Sequence, residues 1–225
     1  QYGYLKLYEM DRHDLPGFLP TLGQAWQIEA MSHKPYPSGR LTHGVVDGLG
    51  QLMRMHGFTP AEVVAVRAEV PPLVHRLVGR PDVAEPEANY AKLCLRFVAG
   101  VYLAKGRVDV PDFRGDALRD ADVHRYAAMV DVVLDGNTDQ NALDPQRISV
   151  RLANGAEHVV QLPHVWGHPA VPLTAAENEE KFRRCCGYGR LALPEVQADG
   201  LAAAVAGLEG VDDIAALVRL TLGGA

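Results

Sequence analysis

The tetrapeptide Ala153-Asn154-Gly155-Ala156 separates two short alternating runs, Ile148-Ser149-Val150-Arg151-Leu152 and His158-Val159-Val160-Gln161-Leu162. Asn-Gly readily supplies the positive φ angles of a tight two-strand turn, so this pattern is the strongest short-range hairpin signal a sequence offers. It commits the chain to an antiparallel pair, and the pairing decides which side chains share a face. Two more strands follow from β-branched patterning. One is Val63 to Val70, closed by Pro71-Pro72, and the other is Met129 to Leu134.

Elsewhere the apolar period lengthens. Val45, Val46, Leu49, Leu52 and Met53 mark an amphipathic helix over about residues 41–55, stopped at Gly57. A second helix is predicted from roughly Ala88 to Lys105, ended by Gly106, and a shorter third over residues 116–126. Thr59-Pro60-Ala61-Glu62 leads into the first strand. Thr174-Ala175-Ala176-Glu177 fits a capping box, and the pattern is helical from there on. Residues 1–33 are mixed: Leu19, Leu22, Ala25 and Trp26 line either a short helix or the approach to a strand. Segregated strands and helices predict an α+β fold, with helices on one face of a small, mainly antiparallel sheet and a C-terminal helical layer after it.

The 225 residues are 48% hydrophobic and 22% charged, which implies a packed core and excludes global disorder. A net charge of -6 leaves no global basic footprint for nucleic acid, so an anionic ligand has to be drawn by local charge. Cys94, Cys185 and Cys186 are too few, and two of them adjacent, for a disulfide framework or an iron–sulfur cluster; a reducing, cytoplasmic setting is expected. No apolar run approaches the length of a membrane span, and no secretory signal is evident. Gln1 stands where an initiator methionine is usual, so the chain is expected to be one part of a longer or processed protein.

The chemistry concentrates in His33-Lys34-Pro35-Tyr36-Pro37-Ser38-Gly39-Arg40-Leu41-Thr42-His43. Pro37 and Gly39 shape a loop that ends at a helix start, where unpaired N–H groups favour an anion. Arg40 suits a two-pronged grip on a carboxylate, Lys34 offers a compact charge, and His43 titrates near neutrality. Each has a plain alternative: Lys34 in solvent, Arg40 paired with an acid such as Asp47, His43 packed in the first helical turn.

Other features read as structural. His164 and His168 stand four apart, a zinc spacing on a helix, but flanking prolines and Gly167 exclude a helix and no third ligand is evident. A loop crossing to the last helices is expected there, with no metal. Asp131, Asp135 and Asp139 recur every four residues around a strand end; they read as solvated positions rather than an acidic metal site, because Asn137, Thr138 and Asp139 are turn chemistry. Gly187-Tyr188-Gly189 lacks the preceding strand of a dinucleotide fingerprint. Lys181-Phe182-Arg183-Arg184, beside Glu177, Glu179 and Glu180, reads as a solvated face laced with i,i+4 pairs. Gly44, Gly48 and Gly50 within the first long helix read as close packing.

The residues also carry a resemblance. Leu22 to Ile28 followed by Lys34-Pro35-Tyr36-Pro37 and His43, then Ala91 to Ala99, then Gly155 through Gly167-His168-Pro169 to Pro172-Leu173-Thr174 and Lys181-Phe182, resemble in order the MmgE/PrpD family. That family includes 2-methylcitrate dehydratase, cis-aconitate decarboxylase and iminodisuccinate epimerase. The resemblance implies a lead-in from a largely absent helical domain over 1–30, an α+β second domain over 31–170, and helices over 171–225 that return to the helical domain. It implies a lyase of propionate-type metabolism acting on a small di- or tricarboxylate without a cofactor, most like dehydration of a 2-methylcitrate-type hydroxy acid. Epimerisation, decarboxylation and a non-catalytic subunit completed by a helical partner are the alternatives.

Lys34 and His43 match the catalytic positions, and Arg40, Tyr36 and Ser38 are expected to bind substrate. Gly39 stands where decarboxylases carry histidine, Phe97 where many members carry tyrosine, and Cys94 where serine is common. A homodimer, or association through exposed C-terminal helices, is expected; neither nucleic acid nor a membrane is an expected partner.

Overall fold

A computed structural model describes residues 3–10 and 12–222, so the outermost ends of the expected lead-in and C-terminal layer lie outside the described residues. The chain divides into two units, residues 1–32 and 33–225. The first holds short helical turns, α1 (Tyr4–Tyr8) and α2 (Leu15–Phe18), with 3-10 turns at Leu19–Thr21 and Gln27–Ala30; the described residues of this segment form no strand.

The second unit is built on four strands: β1 (Val63–Val70), β2 (Val130–Leu134), β3 (Gln146–Leu152) and β4 (Glu157–Leu162), in the order β2-β1-β3-β4. The Asn154-Gly155 turn closes the β3–β4 hairpin as its chemistry predicts, with Gly155 at φ 85°. β3 also pairs antiparallel with β1, whereas β1 and β2 run parallel. The sheet is therefore mixed, because a long helical crossover returns the chain to the far edge of β1.

That crossover comprises α4 (Pro72–Val78), α5 (Ala88–Lys92), α6 (Leu95–Lys105) and α7 (Ala121–Ala127). Alternate residues of the sheet, among them Val66, Ala68, Val70, Ile148 and Val150, are buried. The other face shows Arg67, Glu69, Arg147 and Arg151 to solvent or near it, with Arg147 Nη1 2.6 Å from Glu69 Oε1.

α3 (His43–His56) lies over β3 and β4, and α6 lies over β2. Glycine lets α3 approach. A Cβ on Gly48 would stand 2.7 Å from Ile148 Cβ, and one on Gly44 would run into the Gln146 amide. Gly100 similarly brings α6 against the Val123 carbonyl of α7. The close-packing reading of these α3 glycines therefore holds.

Two helical expectations are corrected. The helix expected over 88–105 breaks at Leu93-Cys94, because the Lys92 carbonyl takes the Gly39 N–H (2.8 Å) from a distant segment and Cys94 is extended. The one expected over 116–126 is a 3-10 turn (Gly115–Arg119) followed by α7, capped by Asp120. α4 starts directly after Pro71, with Pro72 as its first residue, a position that needs no N–H.

At the C-terminus, α8 (Ala175–Cys186) carries the expected Thr174–Glu177 capping box, and α9 (Glu195–Ala206) and α10 (Ile214–Leu220) follow. Arg183–Glu179 and Arg184–Glu180 are the i,i+4 pairs read from the sequence. Asp135 and Asp139 accept the Asn137 and Asn141 N–H groups, which makes them turn formers. All three cysteines are free thiols. Among the described residues, no helix is long and apolar enough to cross a membrane.

Candidate functional site

The 33–43 segment folds into a compact loop before α3. Gly39 opens a 3-10 turn at Arg40–Thr42, which passes directly into the helix at His43. Thr42 Oγ1 donates to the Gly39 carbonyl (2.8 Å), which leaves the Ser38 hydroxyl to donate to Thr42 Oγ1 (2.9 Å). Ser38 and Thr42 are buried, so both hydroxyls serve the loop itself. Lys34 is exposed, and its Nζ donates one hydrogen bond, to the Ser38 carbonyl at 3.1 Å.

Arg40 is engaged elsewhere than expected. Its Nη1 and Nη2 donate to the Trp166 and Val165 carbonyls, each at 2.9 Å. Asp47 Oδ2 accepts the Trp166 N–H at 2.8 Å, and its Oδ1 accepts from Gln51 Nε2 at 2.9 Å. Arg40 and Asp47 thus lash the loop after β4 to the start of α3 from both sides. The loop's main-chain groups need these partners because they lie between elements, outside any ladder. The guanidinium that suits a substrate carboxylate instead holds a structural strap, and Asp47 acts beside it on the strap's N–H.

His43 is 0% exposed, and neither ring nitrogen makes a hydrogen bond of normal geometry. Burial pushes its pKa down to about 3; Arg40 and then Lys34 add to the depression, and the Ser38 carbonyl opposes it weakly. The ring meets the edge of Tyr36, centroids 5.2 Å apart, and Tyr36 in turn meets Trp166 at 5.8 Å. An enclosed neutral imidazole of this kind supports the Tyr36 ring and is out of direct reach of a ligand.

A concavity of about 530 Å³ lies beside this loop, and Lys34 is not part of its lining. Tyr36, Asp47, Gln51, Arg54, Tyr102 and Trp166 line it. Its size falls in the usual range for small-molecule sites. Burial raises the pKa of Tyr36, with Tyr102 and Asp47 adding to the effect; burial likewise raises that of Tyr102. Both phenols are therefore held as donors at neutral pH. Arg54 supplies positive charge at the rim, with Nη1 close to Gly50.

Of the five residues singled out from the sequence, Tyr36 alone lines the cavity; Lys34, Ser38, Arg40 and His43 are not among its walls. Sequence reasoning missed Gln51 and Arg54 and named Asp47 only as a partner for Arg40, not as a wall of the hollow. Their steps of four and three along α3 mark one polar face of that helix, a signal present in the same periodicity that revealed its apolar face. The departures at Gly39 and Phe97 are packed into place. A Cβ on Gly39 would stand 2.7 Å from Leu93 Cδ2, and Phe97 is wholly buried against Phe113 and His124.

Fold and site together define an α+β module that presents a cationic loop and a tyrosine-lined hollow at the start of its longest sheet-packed helix. The family description "MmgE/PrpD C-terminal domain" matches residues 36–206, more than half of the chain, and the chain belongs to the MmgE/PrpD family. Comparison with curated proteins returns no match.

Proposed function

We propose that this chain forms one wall of a lyase site for a small di- or tricarboxylate, most like dehydration of a 2-methylcitrate-type hydroxy acid. Family membership carries the reading, because the family includes lyases and dehydratases. The reaction removes a proton beside a carboxylate and expels hydroxide from the neighbouring carbon. Both steps build negative charge that a fixed cation lowers in energy, and one proton-transfer group assists.

Lys34 is the cation in the loop with spare donors, and it is assigned to enolate-like charge or to proton transfer. Tyr36 and Tyr102 donate to ligand oxygens, and Arg54 attracts the anion to the hollow. Arg40, Ser38 and His43 are positioning residues: they hold the strap, the loop and the Tyr36 ring. Epimerisation or decarboxylation of a related acid uses the same proton movement and is the closest alternative.

The test is Lys34→Ala in an enzyme with both walls of its site, assayed by NMR on citrate, 2-methylcitrate, cis-aconitate and iminodisuccinate. Turnover falls by about a hundredfold or more if Lys34 holds developing charge. Activity within a few-fold of the parent removes Lys34 from the mechanism.

A second reading rests on exposed apolar side chains. Tyr8, Ile28, Leu191, Val196, Ile214 and Leu222 are each more than 60% exposed, spread over both ends of the chain. Surfaces of this kind call for a cover. The chain then acts in a cytoplasmic assembly, with a second copy or a separate helical partner supplying the opposite wall. Strictly monomeric behaviour in light scattering, with ordered terminal helices, counts against this reading.

A further inference from the structure

The β3–β4 register places an unexpected group of three side chains. The last pair is Gln146 opposite Leu162. Two residues further out along each strand stand Asp144 and His164, and the His164 Nδ1 lies 3.3 Å from Asp144 Oδ2. The strap then turns at Gly167, which has a φ of 92° and approaches the His33 carbonyl too closely for any side chain. This turn folds His168 back onto His164, with rings parallel within 5° and centroids 4.1 Å apart. Among the described residues, no other set of three or more His, Cys, Asp or Glu side chains brings its ligand atoms so close; here all lie within 4.8 Å of one another.

We propose that Asp144, His164 and His168 form a binding site for a divalent transition metal of the zinc type. The donor set is the argument. Two imidazoles and a carboxylate suit zinc, with a fourth position left to solvent; calcium and magnesium prefer all-oxygen shells.

The stack adds a second indication. It holds the two rings side by side, so that both can offer a nitrogen to one point next to the Asp144 carboxylate. His168 Nδ1 accepts the Ala170 N–H at 3.0 Å. That bond is the contact metal binding gives up, whether the ion takes Nδ1 itself or draws the proton onto it from the other nitrogen. His164 is exposed, which leaves a route in.

The backbone beneath is held independently of any ion. The His168 N–H bonds the Val165 carbonyl (3.0 Å), the Gly167 N–H bonds the Val171 carbonyl (2.8 Å), and Arg40 holds Val165 and Trp166. Tetrahedral zinc asks for about 3.3 Å between donors, so the side chains close in by about an ångström on a fixed frame. The bound ion joins the start of β3 to the strap that carries Trp166, a wall of the hollow.

The experiment titrates the whole chain, stripped with a chelator, with Zn²⁺ by calorimetry and with Co²⁺ by absorption spectroscopy. One equivalent binds, with a tetrahedral or five-coordinate Co²⁺ spectrum. His164→Ala, His168→Ala and Asp144→Ala each weaken it by about tenfold or more. His158→Ala, which breaks the separate stack with His56 (3.8 Å), leaves binding unchanged, as does the Cys185→Ser/Cys186→Ser double variant. Paramagnetic shifts from Co²⁺ in the unmutated protein fall on the His164 and His168 rings, a readout independent of any variant's folding. Absence of stoichiometric binding, binding that survives loss of His164 and His168, or shifts centred on His56 and His158 each overturns the proposal.

Discussion

His43 makes the stability of this protein fall in acid. Its folded pKa is about 3, against an ordinary 6.5, because the ring is fully enclosed and faces Arg40 and Lys34. The unfolded chain therefore takes up a proton at pH values where the folded chain refuses it. Stability contributed in this way is intact above about pH 6.5, and it is lost as pH falls toward the folded pKa. Each pH unit costs about 1.4 kcal/mol over that window, so a shift from neutrality to about pH 4.5 removes about 2–3 kcal/mol.

Leucine is close to histidine in volume and does not titrate, so His43→Leu isolates the effect. Urea unfolding of both proteins, followed by far-UV circular dichroism at neutral pH and at about pH 4.5, gives four free energies. The difference of differences cancels every other titrating group, including the His124–Asp82 pair. The parent is expected to lose about 2–3 kcal/mol more than the variant. Equal losses, or an NMR titration that puts the His43 ring near its ordinary value, refute the reasoning.

Two more outcomes follow from packing and from the strap. Gly48→Ala gains about 1 kcal/mol of helix propensity but drives a methyl into Ile148, so a net loss of about 1–3 kcal/mol is expected in urea unfolding. A stabilised variant refutes the close contact between α3 and β3. Arg40→Met keeps the alkyl stem and removes both bonds to the strap; it costs about 2 kcal/mol and shifts Trp166 emission to the red, and an unmoved spectrum shows that the strap is held without it.

The elements that sequence reading found are those whose signals are local. The Asn154-Gly155 turn, the alternation of Val63 to Val70 and the stripe of α3 all sit within a few residues of one another. What escaped depends on distant partners. The break before Cys94 exists because Gly39, over fifty residues earlier, takes the Lys92 carbonyl. Arg40 looked free because nothing nearby announces that the Val165 and Trp166 carbonyls need donors. The cavity escaped for a related reason: Tyr102 reaches it from α6, and the closeness of α6 to α3 is a property of the core. Asp144 is the exception, since counting outward from the Asn-Gly turn sets it opposite His164. The hairpin signal contained the third ligand, but only once the register was extended past the strands.

The hold of Arg40 on the strap also orders events in time. The two partners of the Val165 contact are 125 residues apart. Closing a flexible loop of that length costs about 4 kcal/mol in chain entropy, and contacts that distant slow folding. During synthesis α3 emerges long before the segment that covers it, with Asp47 and the Tyr36 ring uncovered meanwhile. The hollow acquires its Trp166 wall only after the β3–β4 hairpin has formed and carried the strap back. A chain stalled before residue 165 would hold the lysine loop and the helix, yet have no enclosed site.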